Sequence, residues 1–180
     1  MNVTDIYEKL LELPVPRIIL SGEVDLSMYS RVSSSLAYLT AKGSPDIEIV
    51  FNSIGGNTTH GLNIYDALRL YLGKKKGIVL SKASSIAAII LLACDERECA
   101  ANAYILIHNG DCDISMNTLL FDDDALEKFR SNRRGVVSTL HKIIANRTGK
   151  SEAEIYDACK LNQSMTPEEA LDFGLIDKII

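Results

Sequence analysis

Ser85 is the residue whose surroundings are best suited to chemistry. It lies between the strand-like run 78–80 and the apolar, helix-compatible run 89–93, with small residues on both sides. At such a junction a serine hydroxyl is exposed, and the amides of the helix N-terminus can hold a developing oxyanion. Taken alone, Ser85 is better explained as the N-cap of a buried helix. Its interpretation as a nucleophile therefore depends on other segments.

Two other segments end in residues of the right kind. A Gly-Gly pair, Gly55 and Gly56, follows the strand-like run 47–51 and allows the positive φ and close backbone approach that a ligand-facing N–H requires. A second apolar run, 104–107, brings His108 to the end of a strand, directly before turn residues. Alone, the first segment is an ordinary turn and the second carries a surface histidine. Three such features, each following a strand, favour one shared site.

The elements that must position these residues alternate along the chain. Short apolar strands followed by helical stretches are typical of βαβ units and predict an α/β domain. A chain of 180 residues without a repeat, a low-complexity tract or a linker predicts one domain with a sizeable core. The predicted strands are 17–20, 47–51, 77–80 and 104–107. The predicted helices are 5–13, 27–41, 59–71, 85–93, about 123–147, and a short one from about 151.

Composition excludes several other classes of function. A net charge of −5 argues against a general nucleic-acid binder. The cysteines have neither a CxxC pair nor paired-ligand spacing, which favours reduced thiols over disulfides or a metal site; they are Cys94, Cys99, Cys112 and Cys159. No signal-peptide pattern opens the chain, and no apolar run reaches about 18 residues. We therefore expect a cytoplasmic protein that uses no cofactor and contacts neither membrane nor nucleic acid.

These motifs together resemble the proteolytic subunit family of the Clp protease, ClpP, over nearly the whole chain. None of them is specific alone, but their order and spacing are. The matching segments are a first-strand signature at 17–24, the Gly-Gly segment 52–56 with the helix 61–66, the nucleophile motif 83–88, the histidine motif 107–108, and the tail motifs 165–170 and 174–177.

The resemblance implies a fold and an activity. The fold is the ClpP/crotonase-like α/β fold, in which ββα units stack and a handle helix protrudes. It covers a single domain, 1–180, with a short N-terminal helix within 1–15 and a handle region at about 109–147. The implied activity is that of a serine endopeptidase in a self-compartmentalising Clp-type protease. Such an enzyme hydrolyses unfolded proteins and short peptides through an acyl-enzyme.

The resemblance also assigns the site residues. Ser85 is the nucleophile and His108 the general base, while the N–H groups of Gly56 and Ile86 form the oxyanion hole. Asn162 stands where the family usually has an aspartate. Its carbonyl can orient an imidazole but cannot stabilise the imidazolium by charge, so we expect a slower or conditionally active enzyme. Asp157 is a weaker candidate for this role, because it lies more than a helical turn from Asn162 in the sequence.

Other departures from the family concern partners. The resemblance implies a heptameric ring, single or double, and the apolar stretches 59–71 and 89–93 offer surface for neighbouring subunits. Glu48 and Val50 stand where aromatic residues often line the pocket for unfoldase loops, and the family's axial loop before Asp5 is expected to be largely missing. Leu161 replaces an arginine of an inter-ring contact, and the handle segment 110–121 is not glycine-rich. Coupling to a Clp AAA+ ATPase and ring-to-ring assembly are therefore both open, and a mixed ring with a paralogue is an alternative to the homomeric ring.

Two alternative functions are also compatible with these residues. One is a catalytically weak or inactive ClpP-like subunit that assembles with an active paralogue; Asn162 favours it, whereas Ser85 and His108 oppose it. The other is a crotonase-type acyl-CoA enzyme, which shares the fold and also holds an oxyanion with backbone amides. Members of that group usually have longer chains and do not require a serine–histidine pair, which makes this the remote alternative.

Overall fold

The computed structural model describes residues 3–110 and 115–180. Its helices are α1 (Val3–Leu11), α2 (Leu26–Ala41), α3 (Thr58–Leu70), α4 (Ile86–Leu91), α5 (Met116–Phe121), α6 (Asp123–Thr148), α7 (Glu152–Leu161) and α8 (Pro167–Phe173). Its strands are β1 (Arg17–Val24), β2 (Ile47–Gly56), β3 (Lys75–Ser84), β4 (Glu96–Cys99), β5 (Tyr104–Leu106) and β6 (Lys178–Ile179). This mixed α/β architecture with a parallel sheet is the fold class expected from the sequence.

The strands form a parallel sheet in the order β1-β2-β3-β4-β6, with β5 also paired to β3. β3 therefore has two partners on one side: its first half pairs with β4 and its second half with β5. Parallel strands point their carboxyl ends to the same edge of a sheet, and ligands bind at that edge in open α/β folds. The ends of β2, β3 and β5 are consequently neighbours.

The core lies around the central strands and the short helix α4. Ile49, Phe51 and Val79 are fully buried, as expected for strands of a parallel sheet that is covered on both faces. Every residue of α4 is buried, which explains why its sequence is apolar all round. Ser85 is thus followed directly by a helix whose residues all belong to the buried core.

Capping residues fix where several helices begin. Asp25 and Asn57 accept hydrogen bonds from the first turns of α2 and α3, and Asp122 does so for α6. α7 and α8 both open with a capping box, in which Ser151 pairs with Glu154 and Thr166 with Glu169. These caps place the starts of α6 and α7 close to the predicted positions.

The structure differs from the predicted elements in several places. β2 continues to Gly56 and β3 to Ser84, so that motif residues assigned to loops are the last residues of strands. Four elements were not predicted: β4, α5, α8 and β6. The long handle helix α6 is present, whereas residues 111–114 of the handle region and Cys112 lie outside the described residues. No helix in the described part of the chain has the length and hydropathy needed to cross a membrane.

Candidate active site

Ser85 occupies a strained turn between β3 and α4. Its backbone has φ 57° and ψ −129°, which is a left-handed value that residues with a side chain seldom adopt. Such strain persists only where the surrounding structure enforces it, and it is typical of nucleophile turns. Unlike an N-cap serine, Ser85 forms no side-chain hydrogen bond to α4. The N-cap interpretation of its hydroxyl is therefore wrong, although Ser85 does occupy the position before the helix.

His108 is brought to Ser85 by the pairing of β3 with β5. Ser84 is in register with Leu106, and the N–H of Ser85 donates to the carbonyl oxygen of Leu106 at 2.8 Å. His108 follows two residues after this bond. Its Nε2 lies 2.8 Å from Ser85 Oγ, a normal hydrogen-bond distance. Residues separated by 23 positions thus have the geometry that a nucleophile and its general base require.

The Gly-Gly segment lies beside this pair. Gly55 has φ 90°, and a Cβ there would lie 2.6 Å from Ser85 Cβ and 3.3 Å from the nitrogen of Ile86. Gly56 has φ 147°, and a Cβ there would instead meet the backbone of Val24 on β1. Only glycine fits at either position. Gly55 is thus packed against the Ser85 turn and Gly56 against β1, and the assignment of the Gly56 N–H to an oxyanion hole stays a prediction.

The N-terminus of α4 supplies the second group of amides. Ile86 is the first residue of this helix, where N–H groups have no intrahelical acceptor. α3 packs closely over it, because a Cβ on Gly61 would lie 2.1 Å from Ile86 Cγ1. Gly61 therefore permits the approach of α3 that fixes the position of Ile86.

Asn162 lies at the end of α7, in the left-handed conformation with φ 50°. Asparagine is one of the few residues that adopts this C-terminal conformation readily, so its presence also has a structural explanation. The antiparallel bridge between Ile105 and Met165 brings the following segment alongside β5. Among the described residues, no hydrogen bond links the exposed Asn162 side chain to His108. Its predicted role in orienting the histidine stays a prediction.

α6 contributes contacts that the sequence motifs did not indicate. Arg133 Nη2 donates to the carbonyl oxygen of Asn109 at 2.6 Å and to that of Gly110. His141 Nε2 donates to Asn109 Oδ1 at 2.9 Å. Burial lowers the pKa of His141, although Glu152 opposes this effect. The segment directly after His108 is thus held by two side chains of one helix.

A narrow cavity of about 40 Å³ adjoins Ser85 and His108. Ile89, Val137 and Leu140 give it apolar walls, and Arg133 and His141 line its other side. A wider cavity of about 370 Å³ shares Arg133 and His141 and opens toward α7. A ligand that reaches Ser85 therefore meets both an apolar and a basic surface.

The three cysteines within the described residues are not suited to act as nucleophiles. Burial raises the pKa of the Cys94 thiol to about 12 and the pKa values of Cys99 and Cys159 to about 11, so these thiols stay protonated at neutral pH. All three are free. No cluster of candidate metal ligands occurs within residues 3–110 and 115–180.

A family model described as Clp protease matches residues 1–180 of this sequence. The match covers the whole chain, so it includes the strand ends, the serine turn and the handle helix described above.

Proposed function

Because the chain belongs to the Clp protease family, we propose that it is a serine endopeptidase that hydrolyses unfolded polypeptides and short peptides through an acyl-enzyme. The observation that carries this proposal is the 2.8 Å separation of Ser85 Oγ and His108 Nε2 at a strained strand-to-helix turn. A crotonase-type reaction does not require such a pair, so the site favours peptide hydrolysis over acyl-CoA chemistry.

The mechanism begins with proton transfer from Ser85 to His108. Ser85 Oγ attacks the peptide carbonyl carbon, and His108 Nε2 takes the hydroxyl proton. His108 then donates this proton to the leaving amine as the C–N bond breaks, which leaves an ester on Ser85. Water, deprotonated by the same histidine, hydrolyses the ester and restores the free serine.

The oxyanion formed in each step needs N–H donors that are already in place. We assign one donor to the N–H of Ile86, which lies at the N-terminus of α4. We propose the N–H of Gly56, in the Gly-Gly segment, as the second donor. The N–H of Gly55 already donates to Ser53 Oγ at 3.2 Å, which favours Gly56 over Gly55 as the donor. Loss of one oxyanion donor typically lowers the rate by about 10²–10³-fold.

A second candidate function is that of a weakly active subunit which depends on an active paralogue. The observation that favours it is the lack of a described hydrogen bond between Asn162 and His108. Without an orienting partner, an imidazole spends less time in the productive tautomer and orientation. We therefore propose that homomeric assemblies are slow rather than inactive.

We propose that the working form is a heptameric ring, single or double, or a mixed ring with a paralogue, located in the cytoplasm. Docking of a Clp AAA+ ATPase at the position of Glu48 is expected to be weak. Glu48 forms ion pairs with Arg17 at 2.5 Å and with Lys76 at 2.8 Å, and these partners hold the pKa of Glu48 below its usual value, Lys76 having the larger effect. An apolar loop would remove these ion pairs from water without adding a polar partner, and that desolvation is unfavourable.

The proposal predicts that Ser85→Ala abolishes peptide hydrolysis, because the substitution removes the attacking oxygen. The matched control is Ser81→Ala, since Ser81 is an exposed serine of the same strand, outside the pocket. Hydrolysis of a fluorogenic peptide by both variants gives the measurement. Activity of the Ser85 variant within about tenfold of the wild type would reject this assignment of the nucleophile.

A further inference from the structure

A half-buried arginine lies beside the proposed nucleophile. Arg133 extends from α6, and its Nη2 donates to the carbonyl oxygens of Asn109 and Gly110, the two residues that follow His108. A guanidinium has five N–H groups, and those on Nη1 and Nε have no hydrogen bond within the described part of the protein. The group is therefore fixed in place by one nitrogen and offers the others to a ligand.

Arg133 forms no salt bridge with a carboxylate of the described residues. The next residue, Arg134, differs, because it pairs with Glu127 at 2.6 Å on the exposed surface. His141 lies beside Arg133, and burial lowers its pKa, so that at neutral pH Arg133 supplies the fixed positive charge. A partly desolvated guanidinium of this kind binds a carboxylate well, because the two groups form paired, charge-assisted hydrogen bonds.

Arg133 also lies on the wall that two cavities share. The narrow cavity contains Ser85 and His108, and the wider one contains the hydroxyl-bearing residues Ser138 and Tyr156. The narrow cavity is too small for an acidic side chain, so a side chain of a peptide bound at Ser85 would reach the guanidinium through the wider cavity. Glu152 is a negative charge in the wider cavity, and it limits how far a second acidic side chain can enter.

We propose that Arg133 is a specificity-determining residue, which binds the carboxylate of an acidic side chain close to the scissile bond. The enzyme then prefers peptides with glutamate or aspartate at that position. This proposal rests on the proposed peptidase function, because it concerns the same pocket. It adds a substrate class that neither the serine–histidine pair nor the family assignment specifies.

The test compares peptides that differ by one isosteric change. A fluorogenic peptide series carries a single Glu or a single Gln at each of the positions that flank the scissile bond. For the wild type we expect kcat/KM for Glu to exceed that for Gln by about tenfold or more at one position. Arg133→Met should bring this ratio to about one, and Arg133→Lys should keep part of it. The ratio is unaffected by a general loss of activity, so it separates binding of the carboxylate from positioning of His108.

The matched control is Arg130→Met, one turn earlier on the exposed surface of α6, where the arginine lines neither cavity. It should keep the wild-type ratio. Equal turnover of Glu and Gln peptides by the wild type, or an unchanged ratio in Arg133→Met, would overturn the specificity proposal alone. A second readout is binding of the same peptides to Ser85→Ala, measured by fluorescence anisotropy. Specific binding of Glu peptides without any hydrolysis by the wild type would support the role of Arg133 and contradict the peptidase function.

Discussion

Asn162 is the residue at which the side chain best suited to catalysis differs from the side chain best suited to the backbone conformation. A family aspartate would stabilise the imidazolium, whereas the left-handed backbone at the end of α7 suits asparagine. The sequence motif identified this position, but it could not indicate the distance to His108, because that distance depends on how α7 packs against β5. The oxyanion assignment shows the same limit. The Gly-Gly pair was evident, yet only the packing reveals that a Cβ on Gly55 would meet Ser85, whereas a Cβ on Gly56 would meet Val24 of β1.

Asn162→Asp should raise kcat toward short peptides, because a carboxylate stabilises the positive charge that His108 acquires during attack. The reverse change, aspartate to asparagine, costs roughly 10⁴-fold in a well-studied serine protease. Since Asn162 has no described bond to His108, we expect a smaller gain, of about tenfold. Steady-state kinetics of both proteins at neutral pH measures it.

Aspartate also tolerates the left-handed conformation, so the fold should be retained in this variant. An unchanged or lower kcat, with the same thermal stability, would mean that another group already orients His108. Asp157→Asn is the control, because Asp157 is exposed on α7 and lies outside the described pocket.

Most elements could be predicted because their hydrophobic periodicity is strong. The elements that were not predicted were missed for physical reasons. β4 has the sequence Glu96-Arg97-Glu98-Cys99, and its three charged residues do not resemble a buried strand. Arg97 can be buried there because it forms an ion pair with Asp177 at 2.5 Å. β6 is only two residues long. The roles of Arg133 and His141 could not be predicted, since they meet Asn109 across 24 and 32 positions of sequence.

Replacement by alanine should change the stability of the fold in opposite directions at two helical glycines, Gly61 on α3 and Gly135 on α6. Gly61→Ala places a Cβ 2.1 Å from Ile86 Cγ1, so we expect destabilisation by about 1–3 kcal/mol and a displaced Ile86 amide. Gly135→Ala on α6 meets nothing within 4 Å, and it should stabilise the helix by up to about 1 kcal/mol. Urea unfolding followed by circular dichroism measures both changes.

Peptide hydrolysis by these two variants adds a second measurement. Gly61→Ala should lose activity under conditions where it is still folded, whereas Gly135→Ala should keep it. Full activity of a folded Gly61→Ala protein would contradict the role of α3 in fixing the oxyanion amide.

The exposed apolar residues of the whole protein predict self-association. Ile89–Ala93 proved to be buried within the protein, so this stretch cannot serve as surface for a neighbour. Leu70 and Leu72, at the end of α3, are 80% and 89% exposed, so we expect these two side chains to contact a neighbouring subunit instead. Family membership adds the expectation of a ring.

Sedimentation velocity at micromolar concentration should show a species near seven or fourteen times the 19.8 kDa protomer mass. Leu70→Glu and Leu72→Glu should shift it toward smaller species, because each places a charge in the contact. Glu48→Gln is the control, since its side chain is already paired within the protomer. A wild-type protein that sediments only as a monomer would contradict the ring.

The most direct test of the peptidase function is covalent labelling of the whole protein with a fluorophosphonate, followed by intact mass and peptide mapping. The reagent reacts with serines that a neighbouring base activates, so it reports the Ser85–His108 pair without any assumption about substrate or assembly. We predict a single adduct on Ser85 that is lost in Ser85→Ala and strongly slowed in His108→Ala. Absence of labelling in a folded wild-type protein, or labelling of a different serine, would contradict the proposed mechanism.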